Sequence, residues 1–152
     1  MSIRTTKPAL DEEADLRQHV EHFPVAAREL PALSVDERID VVERIASFIA
    51  QVLLPHAAFE QRVLYPQAAL LLHEPDESAD VADDRAHVRE LLGRLVEADA
   101  SDAGALQEAL FALYTVLSAH FWREEAVLVK LAALPDEAEV WHAVSASVAA
   151  HT

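Results

Sequence analysis

The stretch AGALQEALFALYTVLSAHFWREEAVLVKLA, residues 103–132, decides the fold, because its apolar residues recur every three or four positions. That spacing is typical of one face of an α-helix. The stripe consists of Leu106, Leu110, Leu113, Leu117, Val127 or Leu128, and Leu131. Gly104 lies just before the pattern and Pro135 just after it, and both residue types interrupt helices. We therefore predict a long amphipathic helix whose apolar face packs against other helices.

Three segments upstream show the same periodicity. The first predicted helix opens near Pro8 and ends before Pro31. The second begins with a capping-box pattern at Ser34 and continues past Pro55, where the missing backbone donor predicts a bend. The third runs from about residue 81 to 98 and ends before a polar turn. The sequence therefore predicts four main helices.

These helices predict one all-α domain. Helices joined by short turns favour an antiparallel up-down four-helix bundle, a fold that commonly builds metal sites between facing helices. We expect the bundle to cover about residues 9–134 and a short C-terminal extra helix to cover about 136–150. At 152 residues, the chain has the length of a single domain.

The composition excludes several classes of protein. Lys and Arg number 12 against 27 Asp and Glu, so a formal net charge of −15 repels nucleic acid and anionic membranes. Because there is no cysteine, disulfides, thiolate nucleophiles and iron–sulfur clusters are excluded. We expect no run of the roughly 20 apolar residues that span a bilayer. The first residues lack a signal-peptide pattern, which predicts a cytoplasmic protein.

Histidine and glutamate interrupt the apolar stripes of the second and fourth predicted helices. His56 and Glu60 lie one turn apart on the stripe of the second helix, and His120 and Glu124 repeat this spacing on the fourth. An ionised carboxylate without a partner is unfavourable on an apolar face, so two of them need a compensating charge. Two divalent cations between the helices would supply that charge.

Three further histidines lie on or beside the stripes of the first and third helices. The full set of candidate metal ligands is His19, His22, His56, Glu60, His87, His120 and Glu124. These nitrogen and oxygen donors suit iron, and less decisively manganese or zinc. His73 and Glu77 share the four-residue spacing, but Pro75 lies between them, so we assign this pair to a solvated loop.

Four short motifs, LLPHAAFE at 53–60, VLYP at 63–66, DRAH at 84–87 and HFWREE at 120–125, resemble those of the hemerythrin-like family of HHE cation-binding domains. The resemblance covers about residues 16 to 131. It implies an antiparallel four-helix bundle that holds two non-haem iron ions joined by an oxo or hydroxo bridge. It also implies that His56, His87 and His120 are terminal ligands and that Glu60 and Glu124 bridge the ions.

Two positions depart from the family pattern. The oxygen-carrying hemerythrins have a second histidine on the third helix, four residues beyond the first, where this chain has Leu91. His22 could fill that vacancy. Pro24 lies inside the first predicted helix and disturbs its backbone hydrogen bonds near Val20, next to the candidate ligands. His19 has the more apolar helical neighbours, and both histidines remain candidates.

The resemblance implies a reduced centre that binds or reacts with dioxygen, nitric oxide or peroxide, as a carrier, sensor, scavenger or peroxidase-like redox protein. The vacancy at Leu91 favours the reactive roles over reversible oxygen carriage. Two alternatives remain open: an iron-responsive domain, and a zinc-stabilised or metal-free helical interaction module. Because the chain has no cofactor fingerprint or separate nucleophile, any enzymatic activity would belong to the metals.

Overall fold

A computed structural model of the chain describes the backbone of residues 2–134 and the side chains of residues 10–134. The helices are α1 (Ser2–Glu21), α2 (Phe23–Glu29), α3 (Val35–Phe48), α4 (Leu54–Phe59), α5 (Tyr65–Leu72), α6 (Ser78–Glu97) and α7 (Ala103–Ala132). Within these residues there is no β-strand, which confirms the all-α prediction. The predicted terminal helix at about 136–150 lies outside the described residues.

The seven helices form four bundle helices. Bundle helix one comprises α1 and α2, bundle helix two runs without interruption through α3, α4 and α5, and α6 and α7 are bundle helices three and four. Arg17 pairs with Glu125, while the Gln107 side chain donates to the Ala27 carbonyl at 2.9 Å. Arg17 precedes Ala27 in bundle helix one, whereas Glu125 follows Gln107 in α7. The two helices are therefore antiparallel. The predicted four-helix bundle is confirmed.

Bundle helix one starts at Ser2, earlier than the predicted start near Pro8, and it breaks at His22. The His22 N–H donates to the His19 carbonyl at 3.2 Å, which closes a tight turn before α2. Pro24 occupies the first turn of α2. Backbone N–H groups of a first turn have no acceptor within the helix, so the missing N–H of proline breaks no helical hydrogen bond. The proline therefore separates α1 from α2 rather than distorting one continuous helix.

Bundle helix two accommodates its prolines with two wide π-helical turns, Ile49–Leu53 and Glu60–Leu64. The Leu54 N–H donates to the Ile49 carbonyl, and the Tyr65 N–H donates to the Glu60 carbonyl, in both cases five residues back. Each donor directly precedes a proline, which itself cannot donate. The helix thus passes Pro55 as predicted.

Polar caps fix the starts of two bundle helices. The Glu37 N–H donates to Ser34 Oγ at 3.2 Å and the Ser34 N–H donates to Glu37 Oε1 at 3.0 Å, so the predicted capping box is present. At the start of α7, the Ala105 N–H donates to Asp102 Oδ1 at 3.0 Å. These caps define where α3 and α7 begin.

The buried apolar residues form two clusters. One includes Leu16, Val20, Leu53, Val88 and Leu117. The other includes Phe59, Leu64, Val81, Val127 and Leu131. On every bundle helix that contributes to both clusters, a short segment with polar side chains lies between them. The bundle therefore encloses a polar layer between two apolar ones.

The helical run Val35–Leu72 contains an 18-residue window with a mean hydropathy of 1.2. By length and composition alone it is apolar enough to cross a membrane, contrary to the expectation from the sequence. Only 17% of this window is buried inside the bundle, although the run as a whole buries Ile49, Leu53 and Phe59 against the other helices. One helix of this kind is weak evidence for a membrane span.

Candidate metal centre

Bundle helices two and four place two His/Glu pairs in the polar layer. His56 and Glu60 belong to one helix and His120 and Glu124 to the other, each pair one turn apart. The exposed fractions are 6% for His56, 0% for Glu60, 5% for His120 and 2% for Glu124. The stripe positions therefore bury all four polar side chains, although each interrupts an apolar face.

Each of the two glutamates lies within reach of both imidazoles. Glu60 Oε1 is 3.5 Å from His56 Nε2 and 3.2 Å from His120 Nε2. Glu124 Oε1 is 3.4 Å from His56 Nε2, and its Oε2 is 3.6 Å from His120 Nε2. A carboxylate between two imidazole nitrogens can bridge two cations, because each nitrogen offers one ligand position.

Bundle helix one adds a third carboxylate, Glu13, which the sequence analysis did not select. Its side chain is 3% exposed, and its Oε2 is 3.6 Å from His56 Nε2. Ligand atoms of Glu13, His56, Glu60 and Glu124 all lie within 4.8 Å of one another. With His120, these residues form what we call the central cluster. Glu13 precedes Leu16 by three residues, so the periodicity of the apolar stripe already places Glu13 on the buried face of the helix.

Two more carboxylates, Glu12 and Asp84, lie behind the imidazoles. Glu12 Oε1 is 3.3 Å from His56 Nδ1, and Asp84 Oδ2 is 3.5 Å from His120 Nδ1. Arg123 Nη1 donates to the same Asp84 oxygen at 2.6 Å. A carboxylate at Nδ1 orients an imidazole and directs its Nε2 toward a metal. Both rings thus present Nε2 to the centre of the cluster.

The structure does not bring His19 and His22 into the central cluster. Both side chains are exposed, and the His19 ring stacks on Phe48 with its centroid 5.0 Å away. The His19 Nδ1 atom forms a hydrogen bond with the Asp15 carbonyl at 2.9 Å. His19 directly precedes Val20, which faces the core, so the helical rotation of about 100° per residue turns the imidazole outward.

His87 is also exposed and remote from the cluster, and Asp84 occupies the inward position on α6. The buried residues of this helix are Val81, Val88, Leu91 and Leu95. Asp84 is three residues after Val81 and four before Val88, whereas His87 is one residue before Val88. The predicted line from His87 is therefore buried at Leu91 and Leu95 but begins outside the stripe at His87. Leu91 packs in the core and is not a vacant ligand position.

Burial and mutual repulsion raise the pKa values of two carboxyl groups in the cluster. The pKa of Glu13 rises to about 9, first because burial disfavours the ionised form and then because Glu124 is close. The pKa of Glu124 rises to about 7 through burial and through the charge of Glu60. Carboxyl groups so crowded resist ionisation together unless a cation compensates them.

The pKa values of the two imidazoles are also raised, in this case by the carboxylates around them. Burial lowers the pKa of His56, but the nearby carboxylates of Glu12, Glu124 and Glu13 outweigh burial and hold that pKa well above its ordinary value. Burial likewise lowers the pKa of His120, and the nearby carboxylates outweigh it. Both shifts have the direction expected of imidazoles that are surrounded by carboxylates.

The donor set fits a bound cation. Among the described residues, several buried ligand atoms have no hydrogen-bond partner: both carboxylate oxygens of Glu13, His56 Nε2, Glu60 Oε2 and Glu124 Oε2. The hydroxyl of Tyr65, which is 2% exposed, is also unpaired. Buried polar atoms are normally hydrogen-bonded, so a group of unpaired acceptors directed at one point indicates a missing positive partner.

The fold and the site together define a helical-bundle protein with a buried carboxylate–histidine cluster that could hold a metal ion. The chain matches the hemerythrin HHE cation binding domain over residues 11–132. It belongs to that family, and the resemblance in its motifs is confirmed. Searches of curated proteins and of solved structures returned no match.

Proposed function

We propose that this protein is a non-haem di-iron protein whose reduced centre reacts with dioxygen, nitric oxide or peroxide. The observation that carries the proposal is the central cluster, in which buried ligand atoms of Glu13, His56, Glu60 and Glu124 lie within 4.8 Å of one another and several of them have no hydrogen-bond partner. Two iron ions would supply redox chemistry toward these small ligands.

The donor types support iron. Glu13, Glu60 and Glu124 offer carboxylate oxygens and His56 and His120 offer imidazole nitrogens, a mixture typical of non-haem iron. Manganese and zinc accept the same donors, so either could substitute. The three carboxylates neutralise most of the charge of two divalent ions, whereas the seven predicted ligands included five neutral imidazoles.

The carboxylate-rich donor set favours reaction over reversible carriage. Anionic ligands stabilise the higher oxidation state of a bound metal by Coulomb attraction. The cluster holds more carboxylates and fewer imidazoles than the sequence predicted, because Glu13 and Asp84 lie inward while His19 and His87 lie outward. We therefore favour a scavenger or peroxidase-like role above an oxygen carrier.

The protein contributes positioning and the exclusion of water. Phe59 and Phe121 are each 1% exposed and close the two apolar layers around the cluster. Glu12 lies 3.3 Å from His56 Nδ1 and Asp84 lies 3.5 Å from His120 Nδ1, positions from which a carboxylate can orient an imidazole, and Arg123 holds Asp84. Rings held in this way keep Nε2 directed inward throughout a reaction. Small ligands are thus the expected partners, in a protein that we place in the cytoplasm.

Metal analysis with optical spectroscopy tests the proposal. Protein produced in iron-replete medium is expected to hold two iron ions per chain and to absorb in the near-ultraviolet as oxo-bridged ferric iron does. After reduction, the absorption should disappear and return on exposure to oxygen or peroxide. Colourless protein that is indifferent to chelators would contradict the proposal and support a metal-free interaction module.

A variant of the bridging residue locates the iron. We expect Glu60→Ala to lower the iron content from two ions to one or none, because Glu60 reaches both imidazoles. Glu43→Ala is the matched control, since Glu43 is an exposed glutamate on the same bundle helix. Equal iron contents in the two variants would show that the cluster is not the iron site.

A further inference from the structure

An open apolar groove lies between bundle helix one and α3, and none of the described residues that line it belongs to the central cluster. Its volume is about 420 Å³, within the range of about 300–1,000 Å³ that small-molecule sites occupy. Most of its lining is apolar: Phe23, Ala26, Val41, Ile45 and Phe48. An apolar lining with a few polar groups is typical of a ligand site.

The helix α3 leaves its apolar face half covered. Val41, Ile45 and Phe48 follow the spacing of a helical stripe, yet each is only half-buried. None of the residues of α3, all of which the structure describes, is fully buried. Opposite this stripe, bundle helix one breaks at His22. Apolar surface that the bundle leaves in contact with water favours a ligand that covers it.

The polar groups of the groove are all basic. They are the imidazoles of His19 and His22 and the guanidinium of Arg44, and none of the described residues in the lining is Asp or Glu. The His19 ring stacks on Phe48 and its Nδ1 is bonded to the Asp15 carbonyl, so the imidazole is fixed as part of the wall. Arg44 is exposed and has no ion pair with any described residue. In a chain with a formal net charge of −15, this local basic group is complementary to an anion.

We propose that this groove binds a free medium-chain carboxylate, whose alkyl chain covers the apolar lining and whose carboxylate lies at Arg44 and the two imidazoles. The groove runs along residues 19–26 and 41–48, a length of roughly 11 Å at the helical rise per residue. An extended chain of about eight carbon atoms has this length. The carboxylate supplies the counter-charge that Arg44 lacks, and arginine binds carboxylates through paired N–H donors. This second site does not depend on iron.

Calorimetric titration with octanoate tests the charge. At pH 7 and constant ionic strength, the octanoate dissociation constant should rise about fivefold in Arg44→Leu, because an ion pair at an exposed arginine is a modest one. Octanol, a neutral molecule of the same length, should bind the unchanged protein and Arg44→Leu alike. The matched control is Arg28→Leu, which removes the same charge from an exposed arginine of α2 outside the groove. It should change octanoate binding by less than about twofold.

Two further measurements test the apolar contact. Hexanoate, with two methylene groups fewer, should bind roughly tenfold more weakly than octanoate. Ala26→Trp fills the groove and should abolish the binding of octanoate and octanol. Val25→Trp adds the same side chain at an exposed neighbouring position and should bind both. Circular dichroism checks that the two tryptophan variants keep their helices.

Three results would overturn the proposal: no octanoate binding at about 10 mM, equal octanoate affinity in Arg44→Leu and Arg28→Leu, or equal affinity in the two tryptophan variants. Binding to anionic lipid vesicles without binding of free octanoate would also overturn it, and would assign the groove to a membrane surface. Iron-free and iron-loaded protein should bind octanoate alike. Loss of the proposed di-iron function would therefore leave this site standing, and the reverse also holds.

Discussion

Glu12 and Glu13 are neighbours on α1, yet they contact opposite nitrogens of one imidazole. Glu12 Oε1 lies 3.3 Å from His56 Nδ1, and Glu13 Oε2 lies 3.6 Å from His56 Nε2. The first contact orients the ring, and the second adds a ligand on the side where the ring presents its donor atom. At this scale, one turn of α1 supplies both an orienting group and a ligand.

The first prediction separates buried carboxylates from surface histidines. Glu13→Gln should weaken metal binding by about 100-fold, because it removes a charged oxygen ligand from a site without water. A triple variant with His19, His22 and His87 all changed to Ala should bind metal as the unchanged protein does, since these side chains are exposed. Competition with a chromophoric chelator measures both affinities. Weaker metal binding in the triple variant alone would contradict this prediction and support the histidine-rich ligand set predicted from the sequence.

The second prediction concerns protons. In the metal-free protein the pKa of Glu13 is raised to about 9 and that of Glu124 to about 7, so both retain protons near neutral pH that the unfolded chain has lost. Their contribution to stability is therefore lost as pH rises through those pKa values. Metal binding must displace these protons, so affinity should increase from pH 6 to 9.

Calorimetry in two buffers of equal pH and different ionisation enthalpy measures this release. We expect at least about one proton per chain at pH 7. Glu13→Gln should release fewer protons, because it removes the group with the higher pKa. Binding heats that are identical in the two buffers would show that the cluster is already ionised before the metal arrives.

At the scale of the element, local rules define where helices end and where side chains face. The C-terminus of α5 illustrates this, because His73 adopts a left-handed conformation with φ 53° and ψ 42°. Its N–H donates to the Ala69 carbonyl, and the N–H of Glu74 donates to the same oxygen at 3.2 Å. Such a turn closes a helix at some conformational cost for any residue with a Cβ atom.

The third prediction tests this turn. His73→Gly should be more stable than His73→Ala by about 1 kcal/mol, because only glycine adopts the left-handed region without strain. Both variants remove the imidazole, so the difference between their stabilities measures the backbone strain alone. Thermal denaturation followed by circular dichroism should give a melting temperature about 2–4 °C higher for the glycine variant. An alanine variant of equal stability would refute the strain at this position.

Periodicity was sufficient to predict the four bundle helices and the two His/Glu pairs on bundle helices two and four. On the other two bundle helices, the stripe places carboxylates inward, and the predicted histidine ligands lie outside it. The stripe through Leu16 and Val20 extends back to Glu13, and the stripe through Val81 and Val88 contains Asp84. Position on the stripe decides what faces inward, because one residue changes the direction by about 100°.

The wide turns of bundle helix two were beyond the sequence pattern. A proline predicts the loss of one hydrogen bond, but whether the helix bends, ends or widens depends on the packing around it. Here the Tyr65 N–H reaches back five residues to the Glu60 carbonyl, and both side chains are buried in the bundle. The widened turn thus coincides with the point where Glu60, Leu64 and Tyr65 are buried.

At the scale of the molecule, a layer of buried acid separates two apolar clusters and takes side chains from all four bundle helices. Glu13 comes from bundle helix one, His56 from two, Asp84 from three and His120 from four. A cation in this layer would link the helices and cancel repulsion among the carboxylates. The same layer is a source of instability when no cation is bound.

The fourth prediction follows from that linkage. Free metal at 100 times its dissociation constant should stabilise the bundle by about 2.7 kcal/mol, which raises the melting temperature by roughly 5–10 °C. A double variant, Glu60→Gln with Glu124→Gln, should melt at the same temperature with and without metal. Metal that stabilises this variant as much as the unchanged chain would locate the binding elsewhere.

The most direct test of the central claim is to locate the metal. Crystals of the iron-loaded protein, measured on either side of the iron absorption edge, give anomalous density that only iron can produce. We predict two peaks within the central cluster, between the Nε2 atoms of His56 and His120 and beside the carboxylates of Glu13, Glu60 and Glu124. Peaks at His19, His22 or His87 instead, or an empty cluster in iron-loaded crystals, would contradict the account.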